Sequence, residues 1–228
     1  MIIAIDGPAG SGKSTTARVV ARRLGYLYLD TGAMYRAVAL AFIRSHEERT
    51  EAGAERLLPS IKIDLSHDDS GLRISLNGED VSEQIRQPDV TADSSKVAAL
   101  PAVRRKLVEE QRRIARRYEH TGGGVVLDGR DIGTVVFPEA DLKFFMTAEE
   151  SVRARRRCEE LHEKGSRVDY EDVLRDIRRR DEQDARRALA PLRQADDAVV
   201  LDTSTLSIED QVSVVIAAVK ERQNFSAV

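Results

Sequence analysis

The stretch Ile2-Ile3-Ala4-Ile5-Asp6-Gly7-Pro8-Ala9-Gly10-Ser11-Gly12-Lys13-Ser14-Thr15 constrains this chain more than any other. An apolar run of strand type enters a glycine-rich turn, after which the pattern becomes helical. Residues 7–14 fit G-x-x-x-x-G-K-[ST], a spacing in which glycines let successive backbone N–H groups point at one anion. Lys13 adds a mobile positive charge for β- and γ-phosphates, and Ser14 offers a hydroxyl for Mg²⁺. The helix that starts there turns the positive end of its dipole toward the same anion. A tight strand-to-helix turn that merely happens to be glycine-rich would not need strand, spacing, Lys-Ser and helix to agree. Gly7, Pro8, Ala9, Gly10, Ser11, Gly12, Lys13, Ser14 and Thr15 are therefore the expected cradle for the phosphates of a nucleotide.

The remaining pattern alternates strand and helix. Ala17, Val20, Ala21 and Leu24 recur at helical spacing, and Gly25 stands where a left-handed helix end belongs. Tyr26-Leu27-Tyr28-Leu29 predicts a second strand, with Thr31 as N-cap of a helix striped by Met34, Val38, Ala41 and Phe42. Period-two runs at 61–65 and 72–76, joined by the turn-rich residues 67–71, predict an antiparallel hairpin. Asn77-Gly78 then turns into a short third strand at Asp80-Val81. Helical periodicity returns from Pro101 to about Tyr118, and the glycines at 122–124 release a buried-type strand ending at Asp128. Further strands at 142–146 and 199–202 precede helices with cap signals at Thr147/Glu150 and Ser207/Asp210. Five short apolar strands, each followed by helix, predict a P-loop NTPase-type five-stranded parallel sheet covered by helices. A small antiparallel β insertion and a helical lid complete the α/β class.

Composition narrows the functional classes. The 228 residues carry 36 Lys and Arg against 39 Asp and Glu, a formal net charge of −3, with aromatics only 4% and no Trp. No global basic field and few stacking residues argue against a nucleic-acid partner. The single cysteine, Cys158, cannot form an intrachain disulfide and suits a reducing, cytoplasmic setting. No basic leader with an apolar run and no stretch of about 18 apolar residues is found, so secretion and membrane spanning are not expected.

In a parallel sheet ligands bind beyond the carboxyl ends of the strands. There the chain sets Asp30-Thr31-Gly32-Ala33-Met34-Tyr35-Arg36 and Asp128-Gly129-Arg130-Asp131. Asp128, at the end of an apolar strand beside the cradle, is the candidate Mg²⁺ carboxylate with Ser14 as its partner. Arg36 and Arg130 are candidates for a second phosphate, held bidentately. Singly, a capping Thr31 and a solvent-facing Arg36 explain these residues equally well; jointly the binding reading is stronger. Arg180, Asp184 and Arg187 share one helical face at i, i+4 and i+7, a possible grip for a hydroxylated, anionic ligand. Arg153, Arg156 and Arg157 resemble lid arginines or, equally, a solvated helix face laced with ion pairs.

Together, residues 5–14, 29–36, 127–138 and 180–187 resemble bacterial cytidylate kinases, a P-loop nucleoside monophosphate kinase family, and the resemblance covers essentially the whole chain. The insertion ending Asn77-Gly78-Glu79-Asp80-Val81, and Ser95-Lys96-Val97-Ala98-Ala99 with Arg104, resemble the same family. The resemblance implies one kinase domain over 1–228. Its parts are a core (about 1–36, 101–150 and 194–228), a nucleoside-monophosphate-binding insertion (about 37–100) and a lid (about 151–193). It further implies transfer of the γ-phosphoryl group of MgATP to CMP or dCMP, in pyrimidine nucleotide metabolism. Lys13, Arg130, Arg156 and Arg157 would be catalytic. Thr31, Tyr35, Arg36 and Arg130 would surround the acceptor phosphate, Ser95, Arg104 and Asp131 the cytosine, and Arg180 and Asp184 the ribose, with Arg187 completing the site. Residues of about 45–60 match no motif. A monomer is expected.

Two other readings stay open on residues alone: a kinase for another small acceptor such as UMP, AMP or a non-nucleotide alcohol, and a P-loop nucleotide-dependent regulatory or binding protein. A guanine-specific switch is disfavoured, because the only asparagines, Asn77 and Asn224, do not stand in an N-K-x-D setting.

Overall fold

A computed structural model describes residues 1–68, 71–163 and 165–226. The chain runs β1 (Ile2–Asp6), α1 (Lys13–Leu24), β2 (Leu27–Asp30), α2 (Thr31–Ser45), α3 (Glu51–Leu57), β3 (Ile63–Asp68), β4 (Gly71–Leu76), β5 (Glu79–Asp80), α4 (Pro88–Val97), α5 (Pro101–Glu119), β6 (Val125–Gly129), β7 (Leu142–Thr147), α6 (Glu150–Glu163), α7 (Tyr170–Ala185), β8 (Val199–Asp202) and α8 (Ile208–Ser226). Among the described residues, no helix is long and apolar enough to cross a membrane.

The larger sheet has the order β2-β6-β1-β7-β8, with β1 parallel to both β6 and β7 and β7 parallel to β8. All five residues of β1 and of β6 are buried, so both strands read as unbroken apolar runs rather than alternations. Fully burying an Ile or Val of this kind contributes roughly 1.5–3 kcal/mol, which fixes the centre of the sheet. Register brings the strand ends level: Asp6 lies opposite Gly129 on one side and Phe145 on the other, and Ile5 opposite Asp128. The smaller sheet is the antiparallel β3-β4-β5. Its second turn is set by Asn77 and Gly78, both left-handed at φ 52° and 87°, the requirement of the tight two-residue hairpin. Asp69 and Ser70, in the expected first turn, lie outside the described residues.

Two compact units emerge, Met1–Leu29 with Ala115–Val228, and Asp30–Ile114. Residues 30–36 and 101–114, read from sequence as core, fall in the second unit. There α2 packs on α4, α3 and β4, and the first turn of α5 is fastened to the segment before β3. Residues 151–193, with α6 against α7, fall in the first unit.

Two local expectations are corrected. The N-cap of α2 is Asp30, whose carboxylate accepts the Ala33 N–H at 2.8 Å, and Thr31 is the first helical residue. A carboxylate at that end also meets the positive pole of the helix, which a hydroxyl meets less strongly. After β6 the chain forms a single π-helical turn, Ile132–Val136, before β7, instead of a full crossover helix. At the other end of the chain the Ser207/Asp210 capping box is present: each side chain accepts the other's backbone N–H, at 3.1 and 3.2 Å.

The segment that sequence left unassigned has a structural task. Thr50 caps α3, Arg49 clasps the buried Asp93 of α4 at 2.7 Å, and Glu51 accepts the Ala102 N–H of the first turn of α5 at 2.9 Å. Lys106 closes the loop on the carbonyls of Leu58 and Ile61. Glu51→Ala is expected to destabilise the protein by about 1 kcal/mol, read as a lower urea midpoint at unchanged slope.

Candidate functional site

The glycine loop between β1 and α1 has the conformation its residues predict. Gly10 and Gly12 are left-handed at φ 77° and 88°, and a Cβ on Gly7 would lie 2.2 Å from the Met146 carbonyl oxygen. Side chains are thus excluded where the backbone must turn inward. Gly12 is the N-cap of α1 and offers no side-chain cap, so the first-turn N–H groups face the loop as anion donors. Lys13 opens the helix; its buried stem carries Nζ back over the loop to donate to the Pro8 carbonyl at 3.2 Å.

Asp128, 3% exposed, stands at the end of β6. Ser14 Oγ donates to Asp128 Oδ2 at 2.5 Å, and Tyr28 Oη donates to Oδ1 at 2.9 Å. The two residues assigned from sequence to Mg²⁺ are thus in direct contact with each other. An exposed hydroxyl beside a buried carboxylate fits Mg²⁺, which takes hard oxygens and is usually held by one or two protein groups together with substrate phosphates.

A second cluster forms between the end of α7, which carries Asp184, and Arg130 just past β6. Arg187 does not share the helical face expected from its spacing, because α7 ends at Ala185 and leaves it two residues beyond. Asp184, 3% exposed, accepts Arg130 Nε at 2.6 Å on one oxygen and pairs with Arg187 through the other. Burial alone would raise the Asp184 carboxyl, but Arg130 and Arg187 outweigh it, with Lys13 adding to them, and hold it below the ordinary carboxylate value. Arg180, half-buried, is shifted down by burial first and then by the neighbouring charge of Arg157. The cluster is a preorganised cationic face whose carboxylate orients two guanidiniums, suited to an anion.

The three α6 arginines separate. Arg153 is 4% exposed and donates to the carbonyls of Ala148 and Ala9 and to Asp181 at 2.6 Å, so it braces the glycine loop from below. Arg156 holds the carbonyl and hydroxyl of Thr203, and the same hydroxyl donates to the Ser11 carbonyl. Arg157 pairs with Glu160 on the helix surface.

In the second unit, α2 carries Thr31, Tyr35 and Arg36, with Arg36 donating to Asp30 at 3.1 Å. Half-buried Ser95 lies on α4, and buried Arg104 on α5. Asp131, buried, follows Arg130 and precedes the π turn.

Sequence reasoning missed Asp6, Tyr28, Thr203 and Gln211. Gln211 of α8 accepts the Thr16 hydroxyl at 2.8 Å, and its Oε1 would lie 2.9 Å from a Cβ on Gly12. Asp6 is 5% exposed and accepts the N–H groups of Ile132 and Gly133, each at 2.8 Å. Burial pushes its carboxyl up to about 6 against those two bonds, with Asp131 adding and Arg130 opposing. An acid raised from 3.8 to about 6 favours the fold most below the unfolded value, and that stabilisation is lost as pH climbs through the folded one. At neutral pH the charged Asp6 therefore costs on the order of 3 kcal/mol.

A profile of the family described as cytidylate kinase matches residues 3–221. A curated cytidylate kinase of Salinibacter ruber is 50% identical over 220 residues, covering 96% of this chain and 97% of that one. One of Carboxydothermus hydrogenoformans is 51% identical over 214 residues, covering 93% and 94%. Among solved structures, an uncharacterized protein from Eubacterium ventriosum aligns with a TM-score of 0.54 at 11% identity, covering 96% of this chain and 98% of that one, a likeness of fold alone.

Proposed function

Because the chain belongs to the cytidylate kinase family, we propose that it transfers the γ-phosphoryl group of ATP to CMP, and also to dCMP, releasing ADP and the cytidine diphosphate. The observation that carries this reading is the joint presence of a phosphate loop with Ser14 on Asp128 and a second cationic cluster, Arg130-Asp184-Arg187, in the same unit. One anion site serves a binding protein; two serve a donor and an acceptor.

The backbone donors of residues 7–15 and Lys13 bind the ATP phosphates. Ser14 and Asp128 would hold Mg²⁺, which when bound would neutralise phosphate charge as a Lewis acid. Arg130 and Arg187 bind the acceptor phosphate, and the family resemblance extends that role to Thr31, Tyr35 and Arg36. Ser95, Arg104 and Asp131 read cytosine, and Arg180 and Asp184 the ribose. An acceptor phosphate oxygen is already nucleophilic, so no general base is needed. It bonds to the γ-phosphorus as the bond to the β–γ bridging oxygen breaks, and ADP leaves with that electron pair. Lys13, Arg130, Arg156 and Arg157 balance the charge spread over the transferring group. Residues 37–100 serve as acceptor-binding insertion and 151–193 as lid within one kinase domain. We assign the protein to the cytoplasm as a monomer, without a nucleic-acid partner.

A coupled assay of ADP release across nucleoside monophosphates tests the reading. ADP formation is expected to require both Mg²⁺ and CMP, with dCMP accepted and AMP poor. Equal turnover with and without acceptor would remove the kinase reading, and preference for AMP the base assignment.

A further inference from the structure

Asp6 ends the central strand one residue before Gly7, yet its side chain does not serve the glycine loop. Both carboxylate oxygens reach across to the neighbouring strand's exit, one to the Ile132 N–H and one to the Gly133 N–H. Those two groups open the π-helical turn Ile132–Val136, whose own bonds return to the Asp131 carbonyl from Val135 and Val136. π-helical turns are rare and are frequently found at functional sites. Here the first two N–H groups of the turn are held by Asp6. Immediately before the turn stand Arg130 and Asp131, and Arg130 makes the 2.6 Å bond to Asp184.

We infer that Asp6 is a positioning residue for the acceptor nucleotide: by holding the Ile132 and Gly133 N–H groups it sets Arg130 and Asp131 relative to the phosphate loop. This inference rests on the kinase reading above. A neutral side chain would close the turn without burying a charge, so the form of the residue needs a reason. A carboxylate presents two acceptors at a fixed spacing to two consecutive N–H donors, whereas an asparagine there turns an NH₂ toward one of them. The raised Asp6 carboxyl supports the same view, since stability is given up at neutral pH to keep two acceptors in one place. The two bonds, each 2.8 Å and buried, tie the end of the strand to the turn that follows Arg130 and Asp131.

The test is steady-state kinetics of the full chain as wild type and Asp6→Asn, with CMP varied at saturating ATP and the reverse, alongside thermal unfolding at pH 7.5. Asn is expected to raise KM for CMP about 10-fold or more, to leave KM for ATP within about 2-fold, and to leave the melting temperature equal or higher. A merely structural bond would lower the melting temperature and leave the two KM values unsplit. Asp6→Ser, smaller and with one acceptor oxygen, should show the same split. Unchanged KM for CMP, a joint rise of both KM values, or failure of both variants to fold overturns the inference. If the wild type itself releases no ADP with CMP, it is the kinase reading that falls.

Discussion

Replacing Lys13 with alanine is expected to lower kcat at least about 10³-fold, a loss of about 4 kcal/mol in transition-state stabilisation, while the protein still folds. The size follows from the chemistry: a phosphoryl group in transit spreads charge over its equatorial oxygens, and transfer without a general base leaves positioning and charge balance to do the catalysis. Lys13 sits at the first turn of α1, where the helix dipole and the backbone donors of the loop converge. Its bond to the Pro8 carbonyl is made by the same ammonium that a nucleotide would recruit, and swapping one carbonyl for phosphate oxygens costs little rearrangement. Single-turnover rates for Lys13→Ala, with circular dichroism as the fold control, check it. A rate within about 10-fold of wild type would remove Lys13 from the catalytic machinery.

Asp184→Asn is expected to lower kcat/KM for CMP about 10²-fold and to destabilise the fold by roughly 3 kcal/mol. Asparagine keeps the shape of Asp184 but leaves Arg130 and Arg187 close together with no buried negative charge between them. Repulsion then turns the guanidiniums toward solvent, and the acceptor loses two oriented donors. Because the Asp184 carboxyl lies below its ordinary value, its stabilisation is complete at neutral pH and is lost only as pH falls below about 4 toward the folded value. The difference in melting temperature between wild type and variant should therefore stay constant from about pH 6 to 8. KM for ATP should stay near wild type; an equal loss for both substrates would contradict the assignment.

The parts of this molecule that were legible in the sequence are those encoded locally. Apolar runs ending in Asp6 and Asp128 announced buried parallel strands, and the glycine spacing announced the loop. The Ser14–Asp128 pair could be anticipated because a motif fixed one partner and a strand end the other. What escaped was set by contacts across a hundred residues or more. Tyr28 reaches Asp128 over 100 positions and Asp6 reaches Gly133 over 127, and no periodicity reports such encounters. Arg153, Arg156 and Arg157 look alike in sequence, yet at about 100° per helical residue they point to different neighbours. One is buried under the loop, one holds Thr203 and one lies on the surface. The cap of α2 was misjudged by one position because Asp30 and Thr31 are both competent caps and the helix begins early enough to prefer the carboxylate.

The phosphate loop lies near the start of the given sequence, but its braces are all distant in sequence, Arg153 on one side and two residues past 200 on the other. Thr203 holds the Ser11 carbonyl, and Gln211 holds Thr16. During synthesis the first strand and helix leave the ribosome nearly 200 residues before these partners do, so the loop is made early and finished late. Contacts of so long a sequence separation are slow to close, so the support of the loop forms late in folding. A nascent chain stalled before residue 203 would expose a glycine loop with the right residues and without the support that shapes it.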